Sequence, residues 1–141
     1  MKIAFFLTPK SECAWVSNKS TVRQAIEKME HWRYSAVPVL TSEGVYDGTL
    51  TEGDLLWFLK QHPSTRFDET GHFPIARVER RRNVIAVRID AEIDDLLALS
   101  VRQNFIPVVD DRGVFIGLVR RTKILERFYA DALQGRGGDG I

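Results

Sequence analysis

Ser35-Ala36-Val37-Pro38-Val39-Leu40 and Phe105-Ile106-Pro107-Val108-Val109 read as two copies of one segment when aligned on prolines that stand 69 residues apart. The register then runs on without a gap. Gly44 falls on Gly113, Val45 on Val114, Tyr46 on Phe115, Gly48 on Gly117, Leu50 on Val119, Leu55 on Ile124 and Leu56 on Leu125. Upstream the spacing becomes 71, pairing Val16 with Val87, Val22 with Ile93 and Ile26 with Leu97. The second copy is therefore two residues shorter between its first helix and its proline strand, a place where loops tolerate loss.

Each copy carries the same order of local signals. A short apolar strand comes first, Ala14 to Val16 and then Val84 to Val87. A helix follows in both. Thr21 with Gln24 has capping-box spacing, and Val22, Ala25, Ile26 and Met29 form one apolar stripe. In the second copy Asp90, Glu92, Asp94 and Asp95 load the helix start with the negative charge favoured there, and Ile93, Leu96, Leu97 and Ser100 form the stripe. Two β-branched strands come next in each copy, Ala36 to Leu40 with Tyr46 to Leu50, and Ile106 to Val109 with Phe115 to Val119. Closing helices span Glu52 to Lys60 and about Arg121 to Ala132. The unit is β-α-β-β-α, and the fold class is α/β. Neither unit can bury its apolar faces well alone, so the two are expected to pack sheet against sheet with pseudo-twofold symmetry, leaving clefts at the seam where small ligands sit.

The units are drawn at residues 6–62 and 76–132. Gln61 to Ala76, with Pro63, Ser64, Gly71 and Pro74, has linker composition, pinned by Phe67, Phe73 and Ile75. Residues 133–141 are poor in apolar side chains and are expected to be a disordered tail.

Composition narrows the function classes. The chain has 141 residues, 20 Lys and Arg against 19 Asp and Glu, and a single Cys, Cys13. Net charge of +1 projects no strong field toward nucleic acid or membrane. The apolar run Ile3 to Leu7 is shorter than the roughly 7 to 15 residues of a signal-peptide core, and no stretch reaches the roughly 18 of a membrane span. A cytoplasmic protein with no membrane partner is expected. His31, His62 and His72 lack metal-ligand spacing, and no P-loop, nucleophile elbow or catalytic carboxylate pair is present, so neither a metal nor an enzyme is expected.

The densest polar signal is Gly48-Thr49-Leu50-Thr51-Glu52-Gly53-Asp54, where a strand passes into a helix. Thr51 and Asp54 have the spacing of a capping box, which alone accounts for both residues. The same turn offers free amides to an anion, and its Thr and Asp oxygens can take sugar hydroxyls.

A tandem of such units, each with a proline-containing apolar strand followed by a Gly-apolar-apolar-Thr-x-x-Asp type of turn, matched in the first by Gly48, Leu50, Thr51 and Asp54, resembles a pair of CBS domains. The likeness covers about Phe6 to Tyr129, and Phe6-Leu7-Thr8-Pro9 resembles the lead-in of these units. The resemblance implies a non-catalytic regulatory module, often called a Bateman module, with no cofactor but an adenine nucleotide as regulatory ligand: AMP, ADP, ATP, S-adenosylmethionine or cyclic di-AMP. It implies that Asp54 holds ribose hydroxyls and Thr51 contacts ribose or phosphate. The base pocket would be Tyr34, Ser35, Ala36, Val37 and Pro38, with Ala14, Trp15 and Val16 as a second wall. It further implies a homodimer that signals in trans to a protein partner.

The second copy departs from the motif, with Arg120 where Thr is expected and Lys123 where Asp is expected. Arg120, Arg121 and Lys123 are candidates for ligand phosphate, since guanidinium forks match phosphate oxygens; the alternative is extension into solvent or pairing with Asp110, Asp111 or Glu126. The cleft around Asn104 to Pro107 is not expected to hold a nucleoside in the usual way. Two other readings remain: a structural or scaffold dimer without ligand, and nucleic-acid binding through Arg77, Arg80, Arg81, Arg82 and Arg88. Charge balance and the lack of a helix-turn-helix or zinc-finger pattern disfavour the latter.

Overall fold

A computed structural model of the protein describes residues 2–138. The first unit is β2 (Val16–Ser17), α1 (Val22–Trp32), β3 (Ala36–Leu40), β4 (Tyr46–Thr51) and α2 (Glu52–Gln61), preceded by a lead-in strand β1 (Leu7–Pro9). The second is β5 (Val87–Arg88), α3 (Ile93–Ser100), β6 (Phe105–Val109), β7 (Phe115–Arg120) and α4 (Arg121–Gly138). The β-α-β-β-α order holds in both. Among the described residues no helix is long and apolar enough to cross a membrane.

Helix starts follow the local chemistry. Thr21 accepts a hydrogen bond from the Gln24 amide at 3.1 Å while Gln24 accepts from the Thr21 amide at 2.9 Å, closing a capping box. Asp95 accepts from the Glu92 amide at 3.2 Å at the start of α3. Helix α4 runs to Gly138, so residues 133–138 extend it and do not form a separate tail; residues 139–141 lie outside the described residues. With no proline after Pro107, nothing in that segment removes a backbone donor, and helix can propagate from the packed first turns.

The first strands of both units are shorter than expected. At Ile85 the ladder is replaced by a side chain: Gln103 accepts from the Ile85 amide at 2.8 Å and donates to its carbonyl at 3.0 Å. Regular pairing therefore starts only at Val87, opposite Val108. Ala14, in turn, is 1% exposed within the first unit's core, and pairing there begins with Val16 opposite Val39.

The sheets are β2-β3-β4 and β1-β7-β6-β5. Strand β1 thus pairs antiparallel with β7 of the second unit, Leu7 opposite Val119, and Ile3 and Phe6 lie in the second unit's core. The linker makes the reciprocal move, since Ile75 and Val78 lie in the first unit's core. Packing therefore departs from the boundaries 6–62 and 76–132, because each unit covers its open apolar face with the segment leading into the other. The linker is pinned by Ile75 and Phe73, whose carbonyl accepts from the Val22 amide at 2.8 Å. Phe67 remains 52% exposed beneath the Arg23 guanidinium.

The seam is built from Cys13, Leu40, Phe115 and Leu118, with Trp15, Tyr34, Tyr46 and Phe105 packed against them. The pseudo-dyad passes beside Val45 and Val114. There Tyr46 donates its amide to the Gly113 carbonyl at 3.0 Å, and Phe115 donates to Gly44 at 2.9 Å. These are the same bond in the two repeats. Strands β3 and β6 are buried on both faces, between helices and the facing sheet, which is why they are apolar throughout.

Candidate functional site

Strand β4 enters α2 with no intervening loop, so Thr51 ends the strand and caps the helix. Thr51 Oγ1 accepts from the Asp54 amide at 3.1 Å, and Asp54 Oδ2 accepts from the Thr51 amide at 3.0 Å. The capping box is present, yet it does not exhaust Asp54. Its Oδ1 accepts from the Arg81 amide at 3.0 Å, and the residue is 3% exposed. Burial of a carboxylate needs such partners, and this one has a hydrogen bond on each oxygen.

Two clefts open at the seam. The first, about 210 Å³, lies between Thr51 and Ala36 of one unit and Asn83, Arg102, Asn104 and Phe105 of the other, with Arg82 at its edge. Gln103 seals one wall: it is 8% exposed and also donates to the Phe105 carbonyl at 3.2 Å. Arg82 and Arg102 form no ion pair among the described residues. The second cleft, about 180 Å³, lies between Arg33, Tyr34 and Ser35 of the first unit and Asn104, Arg120 and Thr122 of the second. Arg120 Nη2 donates to Tyr34 Oη at 2.9 Å, and its guanidinium carbon lies 5.1 Å from the Tyr34 ring centroid. Ala36, Asn104 and Phe105 line both clefts, so the two meet across the pseudo-dyad.

The expected base pocket is divided by this geometry. Tyr34 and Ser35 line the second cleft, Ala36 lines both, and Thr51 lines the first. Val37 is wholly buried, pairing with Leu50, and Pro38 is buried opposite Thr49, so both serve the sheet. Ala14 and Val16 are core residues at 1% and 3% exposure. Trp15 lies between the Lys10 and Lys28 ammonium groups, 4.9 and 5.6 Å from its ring centroid, and lines neither cleft. The physical reason is the swap of lead-in segments, which sets Thr51 and Asp54 against the chain entering the second unit.

Of the three cations at the start of α4, only Arg120 lines a cleft. Arg121 is spent on Asn104 Oδ1 and, at 3.4 Å, on the Ser100 carbonyl. Lys123 is exposed on the helix surface. Arg33, Asn83 and Arg102 are cleft residues that sequence reasoning missed, and Arg82, singled out there only within a basic cluster, joins them. A signal existed, because Arg33 and Arg102 are equivalent positions of the repeat.

The linker arginines do not form one basic stripe. Arg80 pairs with the Asp47 carboxylate at 3.8 Å and donates to its carbonyl, Arg81 lies 3.9 Å from Glu79, and Arg88 pairs with Asp90 at 3.3 Å. Cys13 donates to the Thr8 and Pro9 carbonyls at 3.3 and 3.2 Å, and burial pushes its thiol up to about 11. Such a thiol is held protonated and unreactive.

A family model for the CBS domain matches residues 7–61 and again residues 75–130. The chain belongs to the CBS domain family. CBS pairs are in general regulatory modules. Solved CBS structures share this fold. A CBS domain protein from Streptococcus pneumoniae TIGR4 is 27% identical, with TM-score 0.78 over 90% of this chain and 86% of that one. CbpB from Listeria monocytogenes, solved in complex with c-di-AMP, is 18% identical, with TM-score 0.80 over 94% and 98%. CBSX2, solved in complex with AMP, is 22% identical, with TM-score 0.70 over 96% and 98%. A comparison with curated proteins finds no match.

Proposed function

We propose that this CBS pair is a regulatory sensor that takes an adenosine-containing ligand in the first cleft and signals the bound state to a protein partner in trans. The observation that carries this is the composition of that cleft. Thr51, whose oxygen can accept a ribose hydroxyl, lines one side with the buried Asp54 carboxylate hydrogen-bonded behind it, and the unpaired cations Arg82 and Arg102, suited to phosphate, line the other. The AMP and c-di-AMP complexes of CBSX2 and CbpB support an adenine nucleotide.

The Asp54 carboxylate supplies the link from binding to signal. The carboxylate is 3% exposed and covered by the chain at Arg81, so a ribose hydroxyl reaches it only when that cover moves, and occupancy shifts the segment Glu79 to Val84. The cavity, about 210 Å³, is also smaller than the roughly 300–1,000 Å³ of drug-sized ligand sites, so a nucleotide must displace that wall. Exposed Leu56 and Trp57 on α2, with Leu125, Phe128, Tyr129 and Leu133 on α4, support self-association as a homodimer.

Titration with AMP, ATP, S-adenosylmethionine and c-di-AMP, read by thermal shift and calorimetry, tests the reading. A ligand at 100 times its Kd stabilises the native state by about 2.7 kcal/mol. If none of the four moves the melting temperature at millimolar concentration, the sensor reading fails and a ligand-free scaffold takes its place.

A further inference from the structure

A third cavity, about 120 Å³, lies between the first unit and the linker and shares no lining residue with either cleft. Val39, Leu50, Ile75 and Ala76 give it apolar walls, and its polar side chains are Asn18, Asp47 and Arg80. Asn18 Oδ1 is buried and has no hydrogen-bond partner among the described residues. A buried acceptor left unpaired is costly, and native structures keep few of them.

Arg80 is the cation on this cavity, and it is engaged elsewhere. Its guanidinium donates to the Asp47 carbonyl and lies 3.8 Å from the Asp47 carboxylate. Gly48 makes room for it there, since a Cβ at that position would stand 2.8 Å from Arg80 Nη1. A guanidinium carries five N–H donors, so these contacts leave others free. The cavity has the volume of about four waters at about 30 Å³ each, enough for the four heavy atoms of a guanidinium. Arg80 therefore has two acceptors on one cavity, Asp47, which it uses, and Asn18, which it does not. The next residue, Arg81, is the one whose amide covers Asp54.

We propose that Arg80 is a two-position latch on the linker, held by Asp47 without ligand and by Asn18 Oδ1 when the first cleft is filled. This rests on the reading that a ligand displaces the segment Glu79 to Val84, and it adds what holds that segment in its second place. The guanidinium enters the cavity and satisfies the orphaned oxygen, so the displaced linker has a defined state for a partner to recognise. Asn18 and Asp47 line neither cleft and act on the ligand only through Arg80.

Two measurements on the full chain test the latch. Hydrogen exchange at the Arg81 amide, without ligand, is expected to accelerate at least threefold in Asp47→Ala and to return toward wild type when Asn18→Leu is added. Calorimetry with AMP is expected to show opposite signs, at least threefold tighter binding in Asp47→Ala and at least threefold weaker binding in Asn18→Leu. Both effects should vanish in an Arg80→Ala background. Circular dichroism checks folding, and Asn18→Ala removes the same oxygen should leucine overfill the cavity. Affinity shifts of the same sign, shifts that survive Arg80→Ala, or unchanged exchange in Asp47→Ala overturn the latch. The exchange pattern decides by itself where AMP does not bind, so failure here is separable from failure of the sensor reading.

Discussion

Asp54 Oδ1 accepts the backbone amide of Arg81 at 3.0 Å, joining the first turn of α2 to a segment 27 residues further along the chain. One carboxylate therefore completes the capping box of α2 and anchors the chain that enters the second repeat, directly behind Thr51 of the first cleft. Replacing it tests these roles together with the proposed ribose contact.

Asp54→Ala removes the cap and leaves the Arg81 amide without its acceptor. Loss of a cap costs about 0.5–2 kcal/mol, and an unsatisfied buried donor about 1–3 kcal/mol. Urea denaturation is expected to show a loss in that combined range. Calorimetry with AMP on the folded variant is expected to show at least tenfold weaker binding. Undiminished affinity would reduce Asp54 to a structural residue.

Binding and linker position are expected to move together. Hydrogen exchange at the Arg81 amide should accelerate when the first cleft fills, because the segment that covers Asp54 is then displaced. Slower exchange at that amide under saturating ligand would mean the contact is kept, and the proposed route from ligand to signal would be lost.

Gln103 acts as a strand partner for Ile85, satisfying both its amide and its carbonyl. Gln103→Leu keeps the side-chain bulk and removes those bonds. A destabilisation of about 1–3 kcal/mol is expected, since each hydrogen bond lost is worth about 0.5–1.5 kcal/mol where water can reach the partner. A change below 0.5 kcal/mol would show that water replaces the amide at no cost.

At Gly117 a Cβ would collide with the Thr8 carbonyl and crowd Leu7 and Pro9, which belong to β1. Gly117→Ala is therefore expected to loosen the lead-in strand at a cost of about 1–3 kcal/mol. Limited proteolysis after Lys10 should accelerate. A protection pattern like that of wild type would place the strain elsewhere.

Burial raises the Cys13 thiol from 9.0 to about 11. Above about pH 9 the unfolded chain releases a proton that the native state keeps, so stability is complete below 9.0 and falls until about 11. Tyr46, raised by burial as well, contributes with the same sign at higher pH. Denaturation midpoints for wild type and Cys13→Ala across this window isolate the thiol. Parallel curves would contradict a buried, protonated Cys13.

Much of this was legible in the residues. The proline-anchored repeat carried the strand and helix order, and the Thr21 and Thr51 capping boxes were visible from three-residue spacing. The site was legible only in part. Thr51 and Asp54 stood out, but the residues facing them did not. The resemblance assigned Tyr34 and Ser35 as their partners, whereas Arg82, Asn83 and Arg102 reach the cleft only through the packing of the second unit.

The amino-acid sequence alone specified the two units, their internal order and the replacement of Asp54 by Lys123 in the second copy, because each unit is built from local signals that recur at a fixed spacing. The tertiary structure alone decided which copy faces which. Strand β1 crosses to β7, and the linker crosses back to the first core. Each lead-in places its apolar side chains in the core of the other unit, and that exchange sets Asp54 against Arg81 and brings Arg120 to Tyr34.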